Sequence, residues 1–363
     1  MTEYTQDQET FRDVVAKFLQ AKSTPEDVRR LMGTDEGFDR AVWQQLCQEV
    51  GLAGTHIPEE YGGFGFGPVE LGIAAEEMGR YLYCGPFLSS SVMAGYAVLN
   101  GASEANRQKL LPEIASGSTI ATLVLDSVNA PEQVGRQLRA TGNELDGTAP
   151  IVTDAQVADL LIVVAEGEDG LDLFSIASDS DGVAIHAQDA LDPTRKLSRV
   201  VFSGAVADKI GHLSEAGLEK TWNQISVALA HEMIGGAQQL FDSTLEYTKV
   251  RVQFGRPIGS FQALKHRCAD LLLELEWAKA ATHHAAFCLV TGEEPESASM
   301  AKAMASDVYM EAARAAVQLR GGIGFTWEED THLWYKRAKA SEVFMGSPHM
   351  HRERLLSQME EAS

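Results

Sequence analysis

Tyr247-Thr248-Lys249-Val250-Arg251-Val252-Gln253-Phe254-Gly255-Arg256-Pro257-Ile258, running on to Phe261-Gln262, stands between two strongly periodic segments. Before it, Ile234, Ala237, Phe241 and Leu245 recur at helical spacing and share one face. After it, Leu264, Cys268, Leu271, Leu272 and Leu275 mark one face of a second helix. Two more helical segments follow, Glu296 to Leu319 and Glu329 to Gln358. Their lengths and apolar faces suit an antiparallel four-helix bundle over residues 211–363.

Upstream of the bundle the character changes. Short β-prone runs occupy residues 119–210: Thr119 to Leu125, Leu160 to Ala165, Leu171 to Ile176, Val183 to Ile185 and Val200 to Phe202. Gly142-Asn143, Asp146-Gly147, Gly167 with Asp169-Gly170, and Asp179 to Gly182 separate them as turns, so a small antiparallel β domain is expected. Residues 1–118 return to helical spacing, with Phe11, Val14, Val15 and Phe18 on one stripe. Thr24-Pro25-Glu26 reads as a helix start, and a later helix ends near Glu76-Glu77-Met78-Gly79-Arg80. The order is helical, then β, then helical, an α+β fold that is mostly α.

Composition narrows the function. The chain has 363 residues and carries 30 Lys plus Arg against 52 Asp plus Glu, a formal net charge of -22. Such a surface repels phosphate backbones and anionic membranes, which argues against nucleic-acid partners. No apolar run is long enough to span a bilayer, and the polar start lacks the pattern of a secretory or transit peptide. Cys47, Cys84, Cys268 and Cys288 form no CxxC pair and no metal-ligand pattern, so they read as reduced thiols of a cytoplasmic protein with no metal.

Three stretches resemble the acyl-CoA dehydrogenase family: Pro58-Glu59-Glu60-Tyr61-Gly62-Gly63 with Glu76 to Arg80, the quoted stretch at 247–262, and Val317-Gln318-Leu319-Arg320-Gly321-Gly322-Ile323-Gly324. The resemblance covers essentially the whole chain. It implies an N-terminal helical domain, a middle β barrel and a C-terminal four-helix bundle, usually in a tetramer. It also implies the chemistry: a carboxylate takes a proton from Cα of an acyl-CoA thioester while hydride leaves Cβ for FAD. An electron-transfer flavoprotein is the implied electron acceptor.

In that family each FAD lies between two subunits. The subunit holding its pyrophosphate and adenosine end uses an Arg-x-x-Phe-Gly turn, a later Gln and a Gln-x-x-Gly-Gly turn. The resemblance assigns these roles here to Arg251, Phe254, Gly255, Gln262, Gln318, Gly321 and Gly322. A guanidinium fork suits a phosphate, and paired glycines let backbone approach a ligand. Taken singly, Arg251 would be a surface ion pair and Gly321-Gly322 a helix-ending turn; both at family spacing favour the cofactor role.

The other half of the family site departs from the pattern. Leu125-Asp126-Ser127-Val128-Asn129-Ala130 stands where a Thr-Glu-Pro loop wraps the flavin, and Ile151-Val152-Thr153 where a Trp-x-Thr flanks it. Met345 stands at the usual base position, and Ile225 at the alternative one on the first bundle helix. Neither can take a proton near neutral pH. Glu232, Glu342, His349 and His351 are the remaining nearby candidates. The expected function is that of a base-lacking partner subunit in a heteromeric acyl-CoA dehydrogenase, completing the FAD site of a catalytic subunit. Steroid side-chain CoA esters are among the substrates the resemblance suggests. A self-sufficient homotetramer with a displaced base and a non-catalytic acyl-CoA- or flavin-binding scaffold are the alternatives.

Overall fold

The computed structural model describes residues 4–168 and 170–361; the expected turn residue Asp169 lies outside the described residues, as do 1–3 and 362–363. The chain opens with α1 (Gln6–Lys22), α2 (Pro25–Met32), α3 (Arg40–Gln48), α4 (Pro68–Arg80), α5 (Gly95–Gly101) and α6 (Glu104–Ala115). Thr5 starts α1 with a reciprocal cap: its hydroxyl accepts from Gln8 N, and Thr5 N donates to the Gln8 side chain. Pro25 opens α2, where its missing N–H costs nothing.

Eight strands follow: β1 (Ala121–Val124), β2 (Leu138–Thr141), β3 (Glu144–Thr153), β4 (Leu160–Gly167), β5 (Gly170–Ala177), β6 (Val183–Gln188), β7 (Leu197–Val206) and β8 (Asp208–His212). They form one sheet in the order β6-β7-β3-β2-β4-β5-β8, with β1 alongside β4. Most pairs are antiparallel, as expected, but β1 and β2 each run parallel to β4. The hydrogen-bonded path has two ends, β6 and β8, among the described residues. Gly142-Asn143 is the β2–β3 turn. Asp146-Gly147, expected to be another, lies inside β3 at a break in its register with β7. Gly147 takes φ +127 there, and a Cβ would sit 1.9 Å from Gln137 O; the residue that reads as a turn is a bulge that brings β2 close.

The last third holds α7 (Glu215–Val250), β9 (Val252–Gln253), β10 (Arg256–Pro257), α8 (Gln262–Thr291), α9 (Ser297–Arg320), α10 (Thr331–Val343) and α11 (Pro348–Glu361). The single helix expected over 329–358 is therefore two. Phe344 is extended, Met345 and Gly346 have φ +57 and +98, and Pro348 restarts the helix. Proline disfavours helical backbone before it, which ends α10.

The packing defines two compact units. One holds the N-terminal residues up to Pro25, Gly72–Tyr83 and Val227 onward; the other holds Glu26–Leu71 and Cys84–Ser226. The expected bounds at 118 and 210 follow the order of element types; compactness groups the residues differently. In the first unit α4 and α7 meet backbone to backbone. A Cβ on Gly79 would lie 1.8 Å from Glu232 O, and one on Gly235 would lie 1.8 Å from Glu76 O. Buried Trp334 seals the crossing by donating to Gly79 O at 3.2 Å. In the second unit Trp43 donates to Gly117 O at 3.1 Å, and a π-helical turn at Phe87–Ala94 buries three serines. Cys47, Cys84 and Cys288 are buried, Cys268 is half-buried, and all are free thiols. Among the described residues no helix is long and apolar enough to cross a membrane.

Candidate functional site

Within the first unit, α7 ends at Val250 and the chain turns back through the small β9–β10 hairpin. Its tip is Phe254-Gly255, with φ +54 and +79. A two-residue hairpin loop of this hand needs positive φ at both positions. The turn drives the Phe254 ring outward, where it is 91% exposed and meets only the edge of Phe261 at 6.2 Å. Arg256 stacks over Phe261 at 4.1 Å. Leaving a Phe in water forfeits about 1.5–3 kcal/mol of burial.

Arg251 and Gln262, on either side of this hairpin, are also exposed. Among the described residues no carboxylate pairs with the Arg251 guanidinium. The end of α9 is pinned to the same end of α7. Arg320 donates to Thr244 Oγ1 at 2.7 Å and Ser243 Oγ at 3.1 Å, and its guanidinium lies 5.4 Å from the Tyr247 ring centre. Tyr247 O in turn accepts from Arg251 N at 2.9 Å. Gln318 precedes Arg320 and is exposed; Gly321 and Gly322 follow it, exposed, with nothing within 4 Å of an added Cβ on either. Gly321 has φ 64 and ψ -141, a conformation for glycine. Thus Arg251, Phe254, Gln262, Gln318, Gly321 and Gly322 all belong to one unit and all face outward. A cation, two amides and open backbone suit the pyrophosphate and adenosine end of a dinucleotide.

Met345, to which the sequence resemblance assigns the base position, lies buried in the same unit. Met345 is wholly buried at φ +57, and its carbonyl accepts from His351 Nε2 at 2.8 Å. The other His351 nitrogen lies 3.2 Å from Ser299 Oγ. Burial, with Lys302 nearby, pushes the His351 pKa down to about 3, so the ring is neutral and structural. Glu232 is buried against Arg337 at 2.8 Å, and Glu342 is held by Lys339 at 2.5 Å. His349 is exposed on α11. Each remaining candidate carboxylate or imidazole is therefore fixed by a neighbour or sits at the surface. Ile225, in the second unit, is buried.

The stretches that the sequence resemblance assigns to the flavin side, 125–130 and 151–153, belong to the second unit. Buried Asp126 accepts from Gly135 N at 2.8 Å, from Leu138 N at 3.1 Å and from Gln137 N. The loop from 126 to 138 is thus folded onto its own carboxylate. Ile151 is partly exposed on β3. Thr153 is buried, its hydroxyl 3.8 Å from Met93 Sδ and its carbonyl accepting from Thr122 at 2.7 Å.

Three groups carry no sequence signal. Lys302, fully buried in α9, donates to Ser341 O at 3.0 Å, Gly346 O at 3.3 Å and Ser306 Oγ at 3.1 Å. Its only trace is a lysine on the Ala298, Ala301, Ala305 stripe. Glu76, His231 and His283 converge, as do His284, Cys288 and Glu294. The second group corrects the expectation that no cysteine joins a ligand cluster: four-residue spacing puts Cys288 Sγ 3.4 Å from His284 Nε2.

Comparison with known proteins identifies the family. Residues 5–118 match the acyl-CoA dehydrogenase N-terminal domain, and residues 219–360 its C-terminal domain. Acyl-CoA dehydrogenase IpdE2 of Mycobacterium tuberculosis is 35% identical over 98% of both chains. The ChsE4–ChsE5 complex from Mycobacterium tuberculosis contains a chain of TM-score 0.90 at 26% identity, covering 99% of both. A steroid acyl-CoA dehydrogenase variant, Tcur3481–Tcur3483, gives a TM-score of 0.89 at 25% identity over 98% of both. The chain belongs to the acyl-CoA dehydrogenase family of FAD-dependent oxidoreductases.

Proposed function

We propose that this chain is the base-lacking subunit of a heteromeric acyl-CoA dehydrogenase and completes the FAD site of a catalytic partner. The carrying observation is the contrast within one unit. The dinucleotide-end residues Arg251, Phe254, Gln262, Gln318, Gly321 and Gly322 face outward, while the base position holds a buried Met345. FAD accepts the hydride from the acyl chain when bound. This chain's share is to hold the cofactor's anionic end: the Arg251 fork neutralises phosphate charge, the amides of Gln262 and Gln318 orient it, and Gly321-Gly322 offers backbone N–H groups without Cβ obstruction. The partner supplies the carboxylate over Cα.

Support for the heteromer comes from the resemblance to the ChsE4–ChsE5 and Tcur3481–Tcur3483 assemblies. The latter's designation as a steroid enzyme makes a CoA thioester with a steroid side chain our preferred substrate class. We assign an electron-transfer flavoprotein as the acceptor and the cytoplasm as the location. The test is visible absorbance of the chain purified alone and after co-expression with family members encoded beside it. Flavin only in the co-expressed complex supports the proposal. Flavin in the solitary chain that bleaches with acyl-CoA identifies a self-sufficient enzyme, and no flavin in either preparation identifies a scaffold.

A further inference from the structure

Three helices of the first unit bring metal-binding side chains to one point. Glu76 comes from α4, His231 from α7 and His283 from α8. His283 Nε2 and His231 Nδ1 lie 3.4 Å and 3.8 Å from the same Glu76 oxygen, Oε2. The three ligand atoms all lie within 4.8 Å of one another. Tetrahedral ligands about 2.0–2.1 Å from a zinc ion stand about 3.4 Å apart, and the two histidine nitrogens are already within about 0.4 Å of that spacing from Glu76 Oε2.

His231 makes the group more than a chance meeting of charges. It is 1% exposed, and neither ring nitrogen has a hydrogen-bond partner among the described residues. Leaving such a group unpartnered costs about 1–3 kcal/mol. The ring has little freedom to turn away. A Cβ on Gly72 would lie 2.5 Å from its Nε2, and the His283 ring stacks 5.4 Å from it on another side. The imidazole is therefore held with Nδ1 3.8 Å from the Glu76 carboxylate, too far for a hydrogen bond.

We propose that Glu76, His231 and His283 form a binding site for one divalent transition-metal ion of the zinc class. Two imidazoles and a carboxylate are a three-ligand zinc set with one position left open. The site joins α4, α7 and α8, so the ion would act as a clamp on the unit's core, separate from the cofactor residues. Its occupancy is opposed by Arg12, whose Nη2 is 3.3 Å from Glu76 Oε2 and whose Nε is 3.8 Å from Glu77 Oε1. Metal entry leaves Arg12 on Glu77 and takes Oε2 from it. Tyr4, 2.9 Å from His283 Nε2, gives up that hydrogen bond in the same step.

The experiment titrates the full chain, stripped with chelator, with Zn²⁺ by calorimetry and by thermal melting. It is done in a Cys288→Ser background, because exposed His284 and Glu294 with buried Cys288 form a competing zinc trap. We expect one equivalent bound and a Tm rise that saturates at that point. His283→Ala, at a half-buried position that should tolerate truncation, abolishes both. Arg12→Gln removes the competing cation and tightens binding by about tenfold or more. The proposal is overturned if no saturable binding occurs, if His283→Ala binds as the parent does, or if Arg12→Gln leaves the affinity unchanged or weakens it.

Discussion

Lys302 Nζ lies 3.3 Å from the carbonyl oxygen of Gly346, so a buried ammonium ties α9 to the bend between α10 and α11. That bend is where a catalytic member of the family carries its base. On the reading proposed above, the lysine here holds a bend whose base position is taken by Met345.

The buried lysine predicts a pH dependence. Burial lowers its pKa from 10.5 to about 7. Between those values the unfolded chain holds a proton that the folded chain has released. Stability therefore rises with pH through this window, by up to about 1.4 kcal/mol per pH unit. Below about 7 both states are protonated and the gain is absent. Urea midpoints of the parent should climb from neutral to alkaline pH more steeply than those of Lys302→Met. Parallel curves would show that Lys302 keeps its ordinary pKa.

Arg251→Ala should leave folding intact, since the side chain is exposed, yet loosen FAD in the assembled complex. A lost charge-assisted phosphate contact costs about 1.5–3 kcal/mol, or roughly 10- to 100-fold in affinity. Flavin absorbance per complex after dialysis measures it. Equal retention in mutant and parent would confine Arg251 to the surface.

Met345→Ala should cost stability, about 2–5 kcal/mol for a buried methionine, and leave the dehydrogenation rate of the intact complex nearly unchanged. Met345→Glu should be worse for folding, because it buries a carboxylate beside the Met345 carbonyl that His351 holds. It should not create activity in the solitary chain. Turnover by that variant alone would refute the reading of the second unit's 126–138 loop as unable to serve the flavin.

Two glycines separate packing from cofactor contact. Gly235→Ala places a Cβ 1.8 Å from Glu76 O and should destabilise the chain by roughly 3 kcal/mol or more. Gly322→Ala meets nothing within 4 Å, so its melting temperature should match the parent while flavin retention in the complex falls. If Gly322→Ala retains flavin fully, the Gly321-Gly322 turn is only a helix ending.

Sequence periodicity made the long helices legible because a buried stripe repeats every turn. It located β1, β4, β5, β6 and β7, whose apolar residues cluster in short runs between turn residues. It missed the short strands β2 and β8, and it missed β3, because Glu144-Leu145-Asp146-Gly147 and Pro150 look like loop residues until their pairing with β7 is seen. The helix break at Phe344 to Ser347 was written in Gly346 and Pro348 but masked by the periodicity on both sides. The residues proposed for the cofactor's anionic end form a local motif, which is why the sequence alone suggests them. The Glu76, His231 and His283 group was not, because three helices far apart in the chain build it and no short spacing encodes it.

The first unit is also assembled out of order in time. Its α1 leaves the ribosome early and Gly72–Tyr83 of α4 follows it, but the rest of the unit starts at Val227, about 200 residues after α1. At about 5–20 residues per second, α1 waits roughly 10–40 s for it. During that wait α1, with Val15 and Leu19 buried in the finished fold, has only part of its unit to pack against. The second unit, by contrast, is complete once Ser226 has emerged. Nascent chains arrested shortly after Ser226 should therefore protect the sheet from protease while α1 is still cut, and α1 should become resistant only as α7, α8 and α9 follow.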